Sequence, residues 1–174
     1  LYARLPYDPL KDFSPITNLV NFPLLLVTHP SVPVKNVREL VALAKAKPDQ
    51  LSYASPGSGN SGHLAGELFN SMAGVRTVHV PYKGQGPALT DLLSGQVSML
   101  YSSIPSVIQQ VKNGQLKAIA VGSAKRLPSL PDIPTISESG VPGYEAYSWV
   151  GLVAPANTPP EIVKKIHRDV SDIL

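Results

Sequence analysis

The sequence predicts an α/β protein built on a doubly wound, mainly parallel sheet with helices on both faces. Three observations carry this. Short apolar runs alternate along the chain with helical patterns of about ten residues. The 13 glycines and 18 prolines punctuate the ends of these elements instead of clumping into a linker. The intervening turns are short, as right-handed crossovers between parallel strands require.

Taken in order, Phe22 to His29 reads as an apolar strand, its core Leu24 to Val27 being too short for a membrane span. Val37 to Lys45 reads as a helix, because Val37, Leu40, Val41 and Ala44 recur at helical spacing and Pro48 stops it. Leu51 to Ala54 is a strand, and Ser61 to Ala73 a helix closed by Gly74. Arg76 to Val80 is a strand. Pro87 to Leu93 is a helix with its proline at an N1-like position. Val97 to Tyr101 is a strand, Pro105 to Lys112 a helix, and Leu116 to Gly122 a strand. Leu127 to Gly143 carries four prolines and no periodicity, so it reads as an extended loop. Tyr144 to Val153 is a strand holding Trp149, expected to pack in a core or at a hinge. Thr158-Pro159-Pro160 caps a last amphipathic helix carrying Ile162, Val163, Ile166 and Val170. Internal repeats and low-complexity segments are not visible.

The totals narrow the function. With 174 residues, 43% apolar, the chain can bury one sizeable core or two small lobes. A net charge of +3 comes from 15 scattered basic residues, and only 6% of the chain is aromatic. Nucleic-acid binding would need a basic stripe with aromatic platforms, so it is not expected. Zero cysteines remove disulfides, zinc–thiolate sites and cysteine nucleophiles. Leu1-Tyr-Ala-Arg lacks the pattern of a signal peptide, and the chain stops inside a helical pattern at Ser171-Asp-Ile-Leu174. Both ends are therefore expected to be cuts in a longer chain.

In a parallel sheet the strand-to-helix junctions share one edge, where ligands bind. Three junctions fall there: Ser55-Pro-Gly-Ser-Gly-Asn-Ser61, Pro81-Tyr-Lys-Gly-Gln-Gly-Pro87 and Ser102-Ser-Ile-Pro105. The first joins a strand to a helix N-terminus, whose free amides and dipole favour an anion. Together the junctions offer amides, hydroxyls, one side-chain amide and one cation, which suits a carboxylate held mainly by neutral dipoles. Plainer readings stay open: Gly57 and Gly59 shape a turn, Ser102 and Ser103 cap a helix, Lys83 is solvated, His63 packs or caps, and Asp91 is merely exposed.

Catalytic signatures are missing. Gly59-Asn-Ser-Gly62 is not a G-x-S-x-G elbow, because its second glycine comes one residue early. A G-x-x-x-x-G-K-[ST] loop is absent from the sequence. His29, His63, His79 and His167 lie in four separate elements without metal-ligand spacing. Close carboxylate pairs for acid–base work are also lacking. The expectation is a non-enzyme without cofactor or metal.

Four separated motifs then carry a resemblance. They are Ser55-Pro-Gly-Ser-Gly-Asn-Ser-Gly-His-Leu-Ala-Gly-Glu67 and Val80-Pro-Tyr-Lys-Gly-Gln-Gly-Pro-Ala-Leu-Thr-Asp-Leu-Leu-Ser-Gly-Gln-Val97. The third is Leu130-Pro-Asp-Ile-Pro-Thr-Ile-Ser-Glu-Ser-Gly-Val-Pro-Gly143, followed by Trp149-Val-Gly-Leu-Val-Ala-Pro-Ala-Asn-Thr-Pro159. The fourth is Asp8-Pro-Leu-Lys-Asp-Phe-Ser-Pro-Ile16. Together they resemble the substrate-binding proteins of tripartite tricarboxylate transporters, the Bug family of periplasmic receptors.

The resemblance implies a type II-like periplasmic binding lobe and a monomeric, two-lobed, non-enzymatic receptor. Such a receptor closes on a small mono- or dicarboxylate and presents it to membrane transporter subunits. It implies a periplasmic location, with the signal peptide, the first-lobe ligand loop and the C-terminal tail outside this chain. Residues 1–20 become a remnant of lobe one, 21–148 lobe two, and 149–174 the return toward lobe one. Carried onto this sequence, the lobe-two ligand contacts are Ser55, Ser58, Gly59, Asn60, Ser61, Gly84, Gln85, Gly86, Ser102 and Ser103. The lack of an acidic residue near Ser102 and Ser103 leans toward a plain carboxylate over an amino acid. A cytosolic ligand-sensing domain and a small-molecule transferase of similar fold are the alternatives.

Overall fold

The computed structural model describes residues 5–174, so the first four residues of the expected lobe-one stretch 1–20 lie outside the described residues. The chain divides into two compact units. One is Pro23–Ser148, and the other joins the segment up to Phe22 with Trp149–Leu174.

Within Pro23–Ser148 the order is the second half of β1 (Phe13–Thr28), α1 (Val37–Ala46), β2 (Ser52–Ser55), α2 (Ser61–Ala73), β3 (Val78–Pro81), α3 (Gln85–Leu93), β4 (Met99–Ser103), α4 (Ile104–Lys112) and β5 (Lys117–Val121). The sheet runs β3-β2-β4-β1-β5. β2 pairs in parallel with both β3 and β4. β1 is antiparallel to β4 and to β5, with Leu24 opposite Ser103 and Leu25 opposite Val121. The doubly wound α/β reading stands, and β1 is the strand that departs from parallel. It enters the unit at the edge where β4 ends and leaves for α1 at the opposite edge. Three strand-to-helix junctions, after β2, β3 and β4, therefore share one edge.

Strand alternation sorts the core into two faces. Leu25, Val27, Ala54, Leu100 and Val121 pack with Ala88 and Leu92 of α3 and Val107 of α4. The neighbouring positions Tyr53 and Tyr101 point to the other face. There Tyr101 meets Phe69 of α2, and Phe69 meets Tyr144. Two glycines let α2 settle onto that face. A Cβ on Gly66 would lie 2.3 Å from the Tyr53 ring, and one on Gly62 would lie 2.8 Å from the Tyr101 carbonyl oxygen. The aromatic groups are fully buried, and the hydroxyl of Tyr144 donates to the Ala65 carbonyl.

Local chemistry explains the element ends. Asn36 caps α1 by accepting from the Glu39 amide, while Glu39 accepts from the Lys35 amide. Gly74 closes α2 in the left-handed conformation, as expected. α3 begins at Gln85, two residues earlier than the proline predicted, because Gly84 at φ 115° makes the turn and Pro87 falls third in the helix. Leu127 to Gly143 is irregular apart from one bridge between Val121 and Thr135.

The other unit holds the first half of β1, β6 (Tyr147–Pro155) from Trp149 onward, and α5 (Pro160–Ser171). β6 pairs with β1. β1 is longer than the expected Phe22 to His29, starting at Phe13. Within the expected Thr158-Pro159-Pro160 cap, Pro159 is the N-cap of α5, and its ring offers no acceptor. Trp149 does not pack in a core among the described residues: it is 69% exposed and lines an open apolar groove with Ile16, Leu152 and Val153.

Candidate functional site

At the shared edge, backbone hydrogen bonds stitch the first two junctions together. The Tyr82 amide donates to the Ser55 carbonyl at 2.9 Å, and the Gly84 amide to the Pro56 carbonyl at 3.0 Å. The second and third junctions meet through Gln85, whose Nε2 donates to Ser102 Oγ at 2.8 Å. Ser102 Oγ in turn donates to the Ser103 carbonyl. The ten sequence-predicted positions therefore come together within the Pro23–Ser148 unit.

Their hydrogen-bonding capacity differs from place to place. In the first junction most polar groups are satisfied internally. The Gly57 amide donates to Ser55 Oγ, the Asn60 amide to the Gly57 carbonyl, and the Gly59 amide to His63 Nδ1 at 3.0 Å. Asn60 caps α2 by accepting from the Gly62 amide at 2.9 Å. Ser61 Oγ reaches Ser148 Oγ at 3.1 Å. Ser58 lies between Gly57 and Gly59 on the same loop.

The second junction is more open. Gly84 gives α3 no side-chain cap, and Gly86 sits in its first turn with empty space where a Cβ would be. The first amides of α3 face the edge with the helix dipole behind them. Lys83 is exposed. Asp91 is not merely exposed: it accepts from the Tyr82 hydroxyl at 2.7 Å and braces the loop. Burial and the Asp91 carboxylate push the Tyr82 hydroxyl up to about 12. Ser103 is the N-cap of α4 but makes no capping bond to its backbone; its Oγ pairs with Ser106 Oγ at 2.7 Å.

A histidine pair lies beneath the first junction. His63 and His79 stack with ring centroids 3.9 Å apart and 18° between planes. His79 also stacks on Tyr53, its register partner on β2, at 5.0 Å. His79 Nε2 is 2.6 Å from Ser55 Oγ, and Tyr53 donates to Glu67 at 2.5 Å. Burial, then the neighbouring His63, hold the His79 pKa below its usual value, against an opposing pull from Glu67. In sequence these histidines belong to separate elements, and the packing of α2 beside β3 brings them together. Ser148 is likewise invisible to sequence reasoning, lying 87 residues beyond its partner Ser61. Among the described residues no group of acidic, histidine or cysteine side chains could hold a metal ion. No helix among them is long and apolar enough to cross a membrane.

Residues 1–173 match the family model described as the tripartite tricarboxylate transporter family receptor. Protein BugT of Bordetella pertussis is 34% identical over 174 residues, covering all of this chain and 53% of that protein. A Pseudomonas protein encoded between tcbD and tcbE is 37% identical, covering 98% of this chain and 51% of its own length. Among solved structures, Rpa4515 of R. palustris with adipate superposes with a TM-score of 0.93 at 40% identity, over 98% of this chain and 57% of that one. MatC of Rhodopseudomonas palustris with bound malate gives 0.89 at 35% identity, over 99% and 58%. The chain spans about half the length of the relatives it matches. With its whole described fold shared and its family model matched nearly end to end, the chain belongs to the tripartite tricarboxylate transporter receptor family.

Proposed function

We propose that the full-length protein is a non-enzymatic, periplasmic solute receptor. It binds a small mono- or dicarboxylate between two lobes and delivers it to the membrane subunits of a tripartite transporter. Residues 21–148 form lobe two, and the remaining residues contribute to lobe one. The division of the chain at Pro23 and Ser148 supports that assignment.

The observation that carries the reading is the meeting of three helix starts at one sheet edge, linked by Gln85 and Ser102 and presenting neutral dipoles. Amides and hydroxyls at helix N-termini stabilise a carboxylate without a formal cation, each helix end contributing about 0.3–1 kcal/mol and more where water is excluded. Ser55, Ser58, Gly59, Asn60, Ser61, Gly84, Gln85, Gly86, Ser102 and Ser103 form this wall. Gly84 to Gly86 and Ser103 face the ligand, while Ser55 and Gly59 hold the loop in shape. Adipate and malate, the molecules named with two relatives, are the first acids to try.

Thermal unfolding of the full-length protein with a panel of mono-, di- and tricarboxylates tests the reading. At least one acid should raise the midpoint in a concentration-dependent way, as binding to the folded state alone requires. A flat response across the panel would overturn it.

A further inference from the structure

The stacked histidines have a geometry that makes the first junction sensitive to protons. The Gly59 amide donates to His63 Nδ1, so the neutral ring carries its proton on Nε2. A proton on Nδ1 removes that acceptor and leaves the Gly59 N–H without its partner. His79 lies 3.9 Å away and contacts Ser55 Oγ, the atom that also holds the Gly57 amide and carbonyl. A second cation in this stack would be repelled by the first. The start of α2 adds its own partial positive charge beside His63. The groups facing the pair are Glu67 from α2 and Tyr53 from β2, with Tyr101 of β4 edge-on to Tyr53. Glu67 is the one carboxylate among them, and it is engaged by the Tyr53 hydroxyl.

We propose that His63 and His79 are a positioning pair that shapes the Ser55–Ser61 loop only while His63 is neutral, so that carboxylate binding weakens when a proton on His63 Nδ1 displaces the Gly59 amide. This rests on the receptor reading above. The low pKa of His79 agrees with it, since burial and His63 already oppose the charged ring. The consequence is a receptor that holds its ligand in neutral surroundings and loosens it in acid ones.

The test uses the full-length protein, with affinity for a responding acid measured calorimetrically at about pH 8 and about pH 5.5. Binding that must expel one proton weakens by up to about tenfold for each pH unit over which that proton is held. The comparison is with His63→Asn and His79→Gln, whose amide oxygens and nitrogens replace the ring contacts and do not titrate. Both variants should bind at about pH 8, and their double variant should lose the protein's share of the pH dependence. Protonation of the ligand itself affects all proteins alike and cancels in the ratio.

The second measurement needs no ligand. Gly59 amide exchange, followed by NMR, should lose protection between about pH 8 and about pH 5.5 in the native protein and stay level in His63→Asn. An unchanged affinity ratio in the double variant, or Gly59 protection that ignores the change in pH, would overturn the pair's role. If every acid fails to bind at both pH values, the receptor reading falls, and the Gly59 measurement still decides the positioning claim.

Discussion

Helices α2 and α3 start at the same sheet edge behind similar glycine-rich turns, yet they are held in opposite ways. α2 is capped by Asn60, lies against Tyr53 and Tyr101, and has a turn whose amides are mostly occupied by the protein itself. α3 has no side-chain cap, and a Cβ added to its first-turn glycine would meet nothing within 4 Å. From sequence the first turn looks like the better anion site. In the structure it is the better-built scaffold, and the second turn has more capacity left for a ligand. Glycine and serine content marks both turns and cannot distinguish a satisfied loop from an open one.

The sharpest way to break this contrast is Gly66→Ala. A methyl group there would meet the buried Tyr53 ring at 2.3 Å, so the helix or the ring must shift. Overpacking of this kind costs about 1–3 kcal/mol, here at the upper end. Urea unfolding of the full-length protein measures it, and unchanged stability would mean that α2 is not seated by its glycines. Gly84→Ala comes next. At φ 115° and ψ 174° the residue occupies backbone space nearly reserved for glycine, so about 1–3 kcal/mol is expected without any steric contact. Asn60→Ala removes the α2 cap and should cost about 1 kcal/mol. The corresponding position of α3 has no capping bond to lose.

Acid should separate the two turns as well. Protonation of His79 is disfavoured in the folded protein, so the folded state binds fewer protons than the unfolded one as pH drops. Stability is therefore full above about pH 6.5 and declines as pH falls through the folded value. Unfolding curves at stepped pH check this, and His79→Gln should remove that part of the decline. The loss belongs to the Ser55–Ser61 side, since His79 lies beneath it with Nε2 against Ser55 Oγ.

The sequence exposes much of this architecture because most elements carry local signals. Val37, Leu40 and Ala44 announce α1, Gly74 ends α2, and Leu24 to Val27 can only be a buried strand. The direction of β1 is not legible, since an apolar run looks the same whichever way its neighbours point. The stack of His79 on Tyr53 depends on register between β2 and β3, which neither strand encodes alone. Trp149 misleads for a related reason. Its size suggests a core, but the unit that contains it has just Ala154 buried among its described residues.

Gly86→Ala has the smallest expected effect on folding and separates scaffold from site most cleanly. Gly86 lies in the first turn of α3, has an ordinary helical backbone, and leaves 4 Å of clear space around the position a methyl group would take. Alanine loses less backbone freedom on folding, so stability should hold or rise by up to about 1 kcal/mol. If the open start of α3 is the ligand wall, the same methyl group stands between the carboxylate and the α3 amides. Affinity should then fall while the unfolding midpoint in the absence of ligand does not. Normal affinity in a stable Gly86→Ala protein would move the carboxylate away from α3 and back toward the start of α2, where the few amides left by the Asn60 cap and the His63 contact would have to hold it.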